Sequence, residues 1–201
     1  MYKDKIIKGD YAAAYQYKTM NKDIERVLIN EEEIEKTVTR IAAEIDRDYK
    51  DSGKKLLLLC ILKGSVVFMG ELMKKLKTPV EIDFMKVSSY GAGTTTSGTV
   101  NIHLDIMRGD LDQCDILIIE DIVDSGVTLS YLTKYLMGKG AKSVRTCTLL
   151  DKPSRRKVEF KPDYCGVEIP DEFVIGYGLD FDEKYRALPY VGILRPEIYS
   201  E

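Results

Sequence analysis

The chain predicts an α/β fold, a mainly parallel twisted sheet flanked by helices. Three observations lead there. The stretches Leu56–Leu62 and Ile116–Ile119 are apolar without interruption, as in strands covered on both faces. Segments with helical spacing alternate with the strand-like runs. The length of 201 residues, with 44% hydrophobic and 31% charged residues, fits one self-sufficient globular domain.

Residues 1–21 stand apart. They hold Tyr2, Tyr11, Tyr15 and Tyr17 among lysines with no clear period, so an extension is expected there, a loose terminus rather than a subunit contact. Asn30, followed by Glu31, Glu32 and Glu33, reads as a helix cap with acids in the first turn. Ile34, Val38, Ile41, Ile45 and Tyr49 then share one helical face, and Asp51-Ser52-Gly53 ends the helix. Leu56–Leu62 is a buried strand. Val66–Leu76 is a helix closed by Thr78-Pro79, and Val80–Val87 is a strand. Ser88 to Thr99 is a glycine- and threonine-rich loop that enters a strand at Asn101–Met107. Ile116–Ile119 is a strand whose helix spans roughly 126–138, stopped by Gly138-Lys139-Gly140. Val144–Leu150 is the next strand. From Tyr164 on, short strands and turns suggest a cap beside the sheet.

Composition narrows the function. The net charge of −3 provides no basic field to recruit nucleic acid, and the clusters at Lys152 and Arg155-Arg156-Lys157 are too short for a phosphate-tracking stripe. Leu56–Leu62 is too short to span a membrane. No apolar core follows Lys3, Lys5 and Lys8, so no secretory signal is expected and a reducing cytoplasm is the expected setting. Cys60, Cys114, Cys147 and Cys165 form no C-x-x-C pair, and Cys60 and Cys147 read as core residues. His103, the only histidine, alternates with Ile102 and Leu104 as a strand residue, which argues against a serine-type triad or a histidine metal site.

The chemistry concentrates at Glu120-Asp121-Ile122-Val123-Asp124-Ser125-Gly126-Val127-Thr128. Three carboxylates at the end of a buried strand are costly unless something cationic or rich in hydroxyls sits among them. Strand ends are where open parallel sheets bind ligands. The Ser-Gly-Val-Thr turn offers amides at a helix start, which suits a phosphate, although such a turn alone serves equally well as a plain helix cap. Carboxylates for hydroxyls or a metal, beside amides for a phosphate, describe a site for a phosphorylated sugar.

This stretch resembles the phosphoribosyl-diphosphate-binding motif of type I phosphoribosyltransferases. The segments Ile61–Ser65, Ser88–Gly91, Leu150–Pro153 and Pro170–Asp180 follow in the order expected of hypoxanthine-guanine phosphoribosyltransferases, and the similarity covers roughly residues 22 to 201. The resemblance implies a type I phosphoribosyltransferase fold with a small hood formed by the N- and C-terminal segments, the cap beginning roughly at residue 164. It implies transfer of ribose 5-phosphate from phosphoribosyl diphosphate to a 6-oxopurine with Mg2+ as cofactor, in a homodimer or homotetramer, with neither nucleic acid nor membrane as partner. It assigns the 5′-phosphate to the loop from Asp124 through Ser125, Gly126 and Val127 to Thr128, and the diphosphate to Lys63 and Gly64. Ser89 and Tyr90 belong to a closing loop near the diphosphate. Glu120 and Asp121 take the ribose hydroxyls and metal, and Asp124 is the catalytic acid/base. Lys152 donates to the 6-oxo group, Phe173 stacks on the ring, and the Val174 carbonyl accepts from a 2-amino group. Asp180 serves a second Mg2+, and Arg186 neutralises diphosphate. Glu172 stands where many members carry lysine, which leaves the preference among hypoxanthine, guanine and xanthine open.

Overall fold

The structure, a computed structural model, describes residues 22–89 and 100–200. The expected extension at 1–21 and the loop residues 90–99, Tyr90 included, lie outside the described residues.

The first helix, α1 (Glu31–Tyr49), begins where its residues require. The Asn30 side chain accepts from the Glu33 amide and the Glu33 carboxylate accepts from the Asn30 amide, each at 2.9 Å, a reciprocal capping box. Its five expected apolar positions are all buried. The long strands β2 (Lys55–Leu62) and β5 (Cys114–Val123) are the centre of the main sheet. Around them lie β3 (Val80–Ser89), β4 (Val100–Leu104), β6 (Ser143–Asp151) and β7 (Tyr164–Glu168). Among the described residues the order is β4-β3-β2-β5-β6-β7, parallel throughout except for the antiparallel β3–β4 pair.

Strand alternation sorts the central apolar runs onto two faces. Leu56, Leu58 and Cys60 pack with Leu117 and Ile119 against α1 and α2 (Val66–Lys75). Leu57, Leu59 and Ile61 pack with Ile116 and Ile118 against α3 (Val127–Gly138). Each leucine buried this way stabilises the fold by about 1.5–3 kcal/mol, which is why both faces need a helical cover. Cys60, Cys114 and Cys147 are free, buried thiols, and burial pushes the Cys60 thiol up to about 11. His103 lies in β4, where its Nε2 is 2.7 Å from Ser88 Oγ on β3.

Several expectations are corrected. β5 runs on to Val123, so Glu120 and Asp121 lie within the strand rather than past its end. Ser88 and Ser89 extend β3, pairing with Asn101 and Val100, and so are not loop residues. β4 stops at Leu104, short of Met107. Asp105 turns out of the strand, where its carboxylate accepts from Tyr135 Oη and Lys139 Nζ on the α3 side, each at 2.6 Å. Tyr164–Glu168 is an edge strand of the main sheet, paired with β6, and the separate cap elements follow it.

Those elements form a second, antiparallel sheet in which β1 (Ile24–Ile29) and β8 (Val174–Ile175) flank β9 (Val191–Leu194). Its two ends come from the two ends of the described chain, as expected of the hood. No helix among the described residues is long and apolar enough to cross a membrane.

The connections fix where a ligand can sit. From β2 the chain moves outward to β3 and β4, then returns to the opposite side of β2 with β5. This reversal leaves a crevice above the carboxyl ends of β2 and β5. Asn30→Ala, which removes half of the capping box, is expected to cost about 1 kcal/mol. Thermal denaturation checks it, with a Tm about 2–4 °C lower expected.

Candidate active site

The β2 end supplies one wall of the crevice. The Leu62–Lys63 peptide is cis, and Gly64 follows it. Gly64 lies so close to Asp121 that an added Cβ would stand 1.5 Å from Asp121 Oδ2, so any side chain here would displace the Asp121 carboxylate. Gly178, at φ +100°, packs in turn against the Gly64 carbonyl. Lys63 Nζ is 2.8 Å from Glu183 Oε1, in an exposed pair that a competing anion can displace.

The β5 end supplies the other wall. A cavity of about 180 Å³ is lined by Ile61 through Gly64, Val87, Glu120, Asp121 and Thr128. A neighbouring one of about 190 Å³ is lined by residues Glu120 through Gly126, Thr128 and Leu129. The two share Glu120, Asp121 and Thr128, which places the carboxylates between two chambers. Burial holds the Glu120 carboxyl well above its usual range, and the Asp121 charge beside it adds to the effect. Burial likewise pushes Asp121 up to about 6, against the opposing hydrogen bond from the Ile122 amide. These groups are short of positive charge.

The turn after β5 is built for backbone contact. Gly126 takes the helix-cap position at φ +77°, a left-handed conformation that glycine adopts freely, and the Val127 amide at the helix start donates to Ser125 Oγ at 3.3 Å. The plain-cap reading therefore holds in part for Ser125, whose side chain takes up one amide of this turn. Ser125, Gly126 and Thr128 at the start of α3 line the second chamber, and a helix start is a suitable place for an anion. Asp124 Oδ1 is buried without a hydrogen-bond partner. Its nearest cation is Lys152 Nζ, 3.8 Å away, close enough to attract but too far to bond. Lys152 itself is only 6% exposed, so this lysine is an internal donor and not part of a surface cluster.

Arg156 is the residue that sequence reasoning missed. Grouped by sequence with a short basic cluster, its side chain is in fact turned inward. Its guanidinium donates to the carbonyls of Val123, Asp124, Lys152 and Phe160 and to the Asp151 carboxylate. One planar fork thus joins the turn after β5 to the Lys152 turn. Composition gave no sign of this, because the partners are mostly backbone oxygens from three segments.

The remaining expected residues divide between two sides. Phe173 is 37% exposed and stacks on Tyr199 at 4.7 Å and 19°, with Phe181 edge-on at 5.6 Å. Tyr199, in α4 (Pro196–Tyr199), was not expected, since only tertiary folding brings the chain end to Phe173. Val174 is buried in β8 opposite Ile193. Asp180 Oδ1 lies 2.9 Å from an Arg186 terminal nitrogen, Arg186 also donates to the Gly178 carbonyl at 2.9 Å, and its Nε is buried without a partner. Arg186 lowers and Asp180 raises the Asp121 carboxyl, and Gly178 packs on the Gly64 carbonyl, so this loop borders the carboxylate crevice. Among the described residues no three His, Cys, Asp or Glu side chains converge as a preformed metal cage. Tyr90 lies outside the described residues, and of Ser89 only the strand position is described.

Comparison with known proteins gives the family and the fold. The family model for the phosphoribosyl transferase domain matches residues 27–182. The hypoxanthine-guanine phosphoribosyltransferase of Bacillus subtilis (strain 168) is 51% identical over 181 residues, covering 90% of this chain and 99% of that protein. The bifunctional protein TilS/HprT of Listeria monocytogenes is 49% identical over 183 residues, and there the chain spans 28% of the relative's length. A crystal structure of a hypoxanthine phosphoribosyltransferase from Staphylococcus aureus superimposes with a TM-score of 0.85 at 46% identity, covering 91% of this chain and 98% of that one.

The raised Asp121 carboxyl has a consequence for stability. The fold favours its protonated form, so this contribution is complete below the ordinary value of 3.8 and is lost as pH rises through about 6. Asp121→Asn keeps the acceptor for the Ile122 amide while removing the charge. It is expected to raise the ligand-free Tm at neutral pH by about 2–4 °C for each ~1 kcal/mol relieved. It is also expected to flatten the dependence of Tm on pH across that window. Calorimetry across the window checks both, and an unchanged or lower neutral-pH Tm would count against the charge being costly.

Proposed function

The chain belongs to the phosphoribosyl transferase family, and from that premise we propose that it is a purine-salvage enzyme, a hypoxanthine-guanine phosphoribosyltransferase. It joins hypoxanthine or guanine to the ribose 5-phosphate of 5-phosphoribosyl 1-diphosphate, giving IMP or GMP and diphosphate. One observation carries the reading: the buried, unbonded Asp124 oxygen faces the internal Lys152 amine 3.8 Å away, at the start of the phosphate turn. A base that offers an N–H to one and an oxo group to the other satisfies both.

The roles follow from the chemistry of each group. Backbone amides at Ser125 to Thr128 hold the 5′-phosphate, while Glu120 and Asp121 accept from the ribose 2′- and 3′-hydroxyls. Lys152 donates to the 6-oxo oxygen. Adenine would set an amino donor against that donor and leave both unpaired, which costs about 1–3 kcal/mol or more. Phe173 covers one face of the ring, and the Val174 carbonyl receives a 2-amino group. As N9 bonds to C1′, positive charge grows on the base, and Asp124 accepts the N7 proton. Lys63 and Arg186 balance the departing diphosphate, the group to which the family resemblance also assigns Ser89 and Tyr90. Lys63 exchanges its Glu183 partner for the substrate's oxygens.

Magnesium fits this donor set. Glu120 and Asp121 are short of positive charge, Asp180 stands near Asp121, and the lack of a three-ligand cage among the described residues suits an ion that keeps its waters and shares substrate oxygens. When bound, it neutralises the leaving diphosphate. The enzyme works in the cytoplasm as a homodimer or homotetramer.

Steady-state assays with phosphoribosyl diphosphate, Mg2+ and each of hypoxanthine, guanine, xanthine and adenine test the proposal. Turnover of hypoxanthine and guanine but not adenine is expected. Nucleotide binding without turnover of any base would refute the enzymatic reading. Asp124→Ala is expected to lower kcat by roughly 10²–10⁴-fold while nucleotide affinity changes only a few-fold. Equal losses in both would remove Asp124 as the proton acceptor.

A further inference from the structure

The segment Pro170–Phe173 bridges the two sheets. At its start the Ile169 amide donates to the Asp151 carbonyl at the end of β6, at 2.8 Å. At its end the Phe173 carbonyl accepts from the Leu194 amide of β9, at 2.9 Å. Between these anchors stand two consecutive acids paired in different directions. Asp171 Oδ1 lies 2.9 Å from Arg155 Nε, in the short turn that follows Lys152. Both Glu172 carboxylate oxygens lie 2.8 Å from an Arg26 terminal nitrogen, on β1 of the hood.

We propose that Asp171 and Glu172 are positioning residues for the purine: their ion pairs set the distance between the Lys152 donor and the Phe173–Val174 side of the pocket. The inference rests on the transferase reading above. Neither acid touches the base. Each fixes one flank of the segment that does, Asp171 to the Lys152 turn and Glu172 to the hood. The pairs are half-exposed, with side-chain exposures of 53% and 50% for Arg155–Asp171 and 47% and 33% for Arg26–Glu172. Each is therefore individually weak and sensitive to salt. Their effect falls on purine affinity, and guanine, which also uses the Val174 edge, loses more than hypoxanthine.

Kinetics of the full chain decide the matter. Asp171→Ala and Glu172→Ala are each expected to raise the purine KM by about two- to five-fold, leaving kcat and the phosphoribosyl diphosphate KM unchanged. Arg26→Glu and Glu172→Arg alone should do the same, and the two together should restore the wild-type value. Adding salt should raise the wild-type purine KM more than that of the Asp171→Ala/Glu172→Ala double variant, a comparison that does not depend on charge reversal being tolerated. An active wild type whose variants leave the purine KM unchanged, or shift kcat and both KM values together, overturns this inference alone. So does a charge swap that folds with the wild-type Tm yet restores nothing. A wild type that turns over no base overturns the transferase reading and this inference with it.

Discussion

The structure depends on a pair of neighbouring acids placed where folding alone would not put them. Glu120 and Asp121 lie inside the central strand β5, and burial raises both carboxyls. Their position against the β2 end is possible only because Gly64 has no side chain: a single methyl would occupy the Asp121 oxygen. Gly178 then needs the same lack of a Cβ to lie against Gly64. The crevice is thus a stack of backbone and carboxylate with no space for added side chains. Its electrostatic cost is what the cation and ribose of the proposed reaction would relieve.

The second organising feature is the division of the proposed purine pocket between two bodies. Lys152 belongs to the turn that follows β6 of the main sheet and Phe173 to the approach to the hood. Such a pocket can vary in width, and base recognition by a donor on one side and a ring face on the other depends on that width. Arg156 makes the first side rigid by holding the backbones of the Asp124 and Lys152 turns together. The Asp171 and Glu172 pairs join that side to the other. Under the proposed function, rigidity falls near the phosphate and proton-accepting groups, while salt-sensitive contacts border the approach of the base.

Much of the main sheet was legible in the sequence, because uninterrupted apolar runs have few alternatives to a strand covered on both sides. Asn30 and Glu33 likewise announced their helix, since a capping box is a local device. The hood strand β1 was not predicted from residue patterns: Ile24–Ile29 alternates imperfectly and finds its partner β9 more than 160 residues later, beyond the reach of local periodicity. The ends of β3, β4 and β5 were misjudged for a related reason. Polar residues such as Ser88 and Glu120 read as loop signals, but pairing with neighbouring strands keeps them extended.

By itself the sequence determined the chemical types at the site and their order: acids, a small turn, an amine, an aromatic. Those follow from covalent order and side-chain identity. Only the tertiary structure decided which of them face one another. It directed Lys152 inward toward Asp124, turned Arg156 from an apparent surface charge into a backbone clamp, and laid Tyr199 on Phe173. The reversal of strand order between β2 and β5 is what opens the crevice. These are long-range relations set by how the sheet pairs and twists, and no window of neighbouring residues contains them.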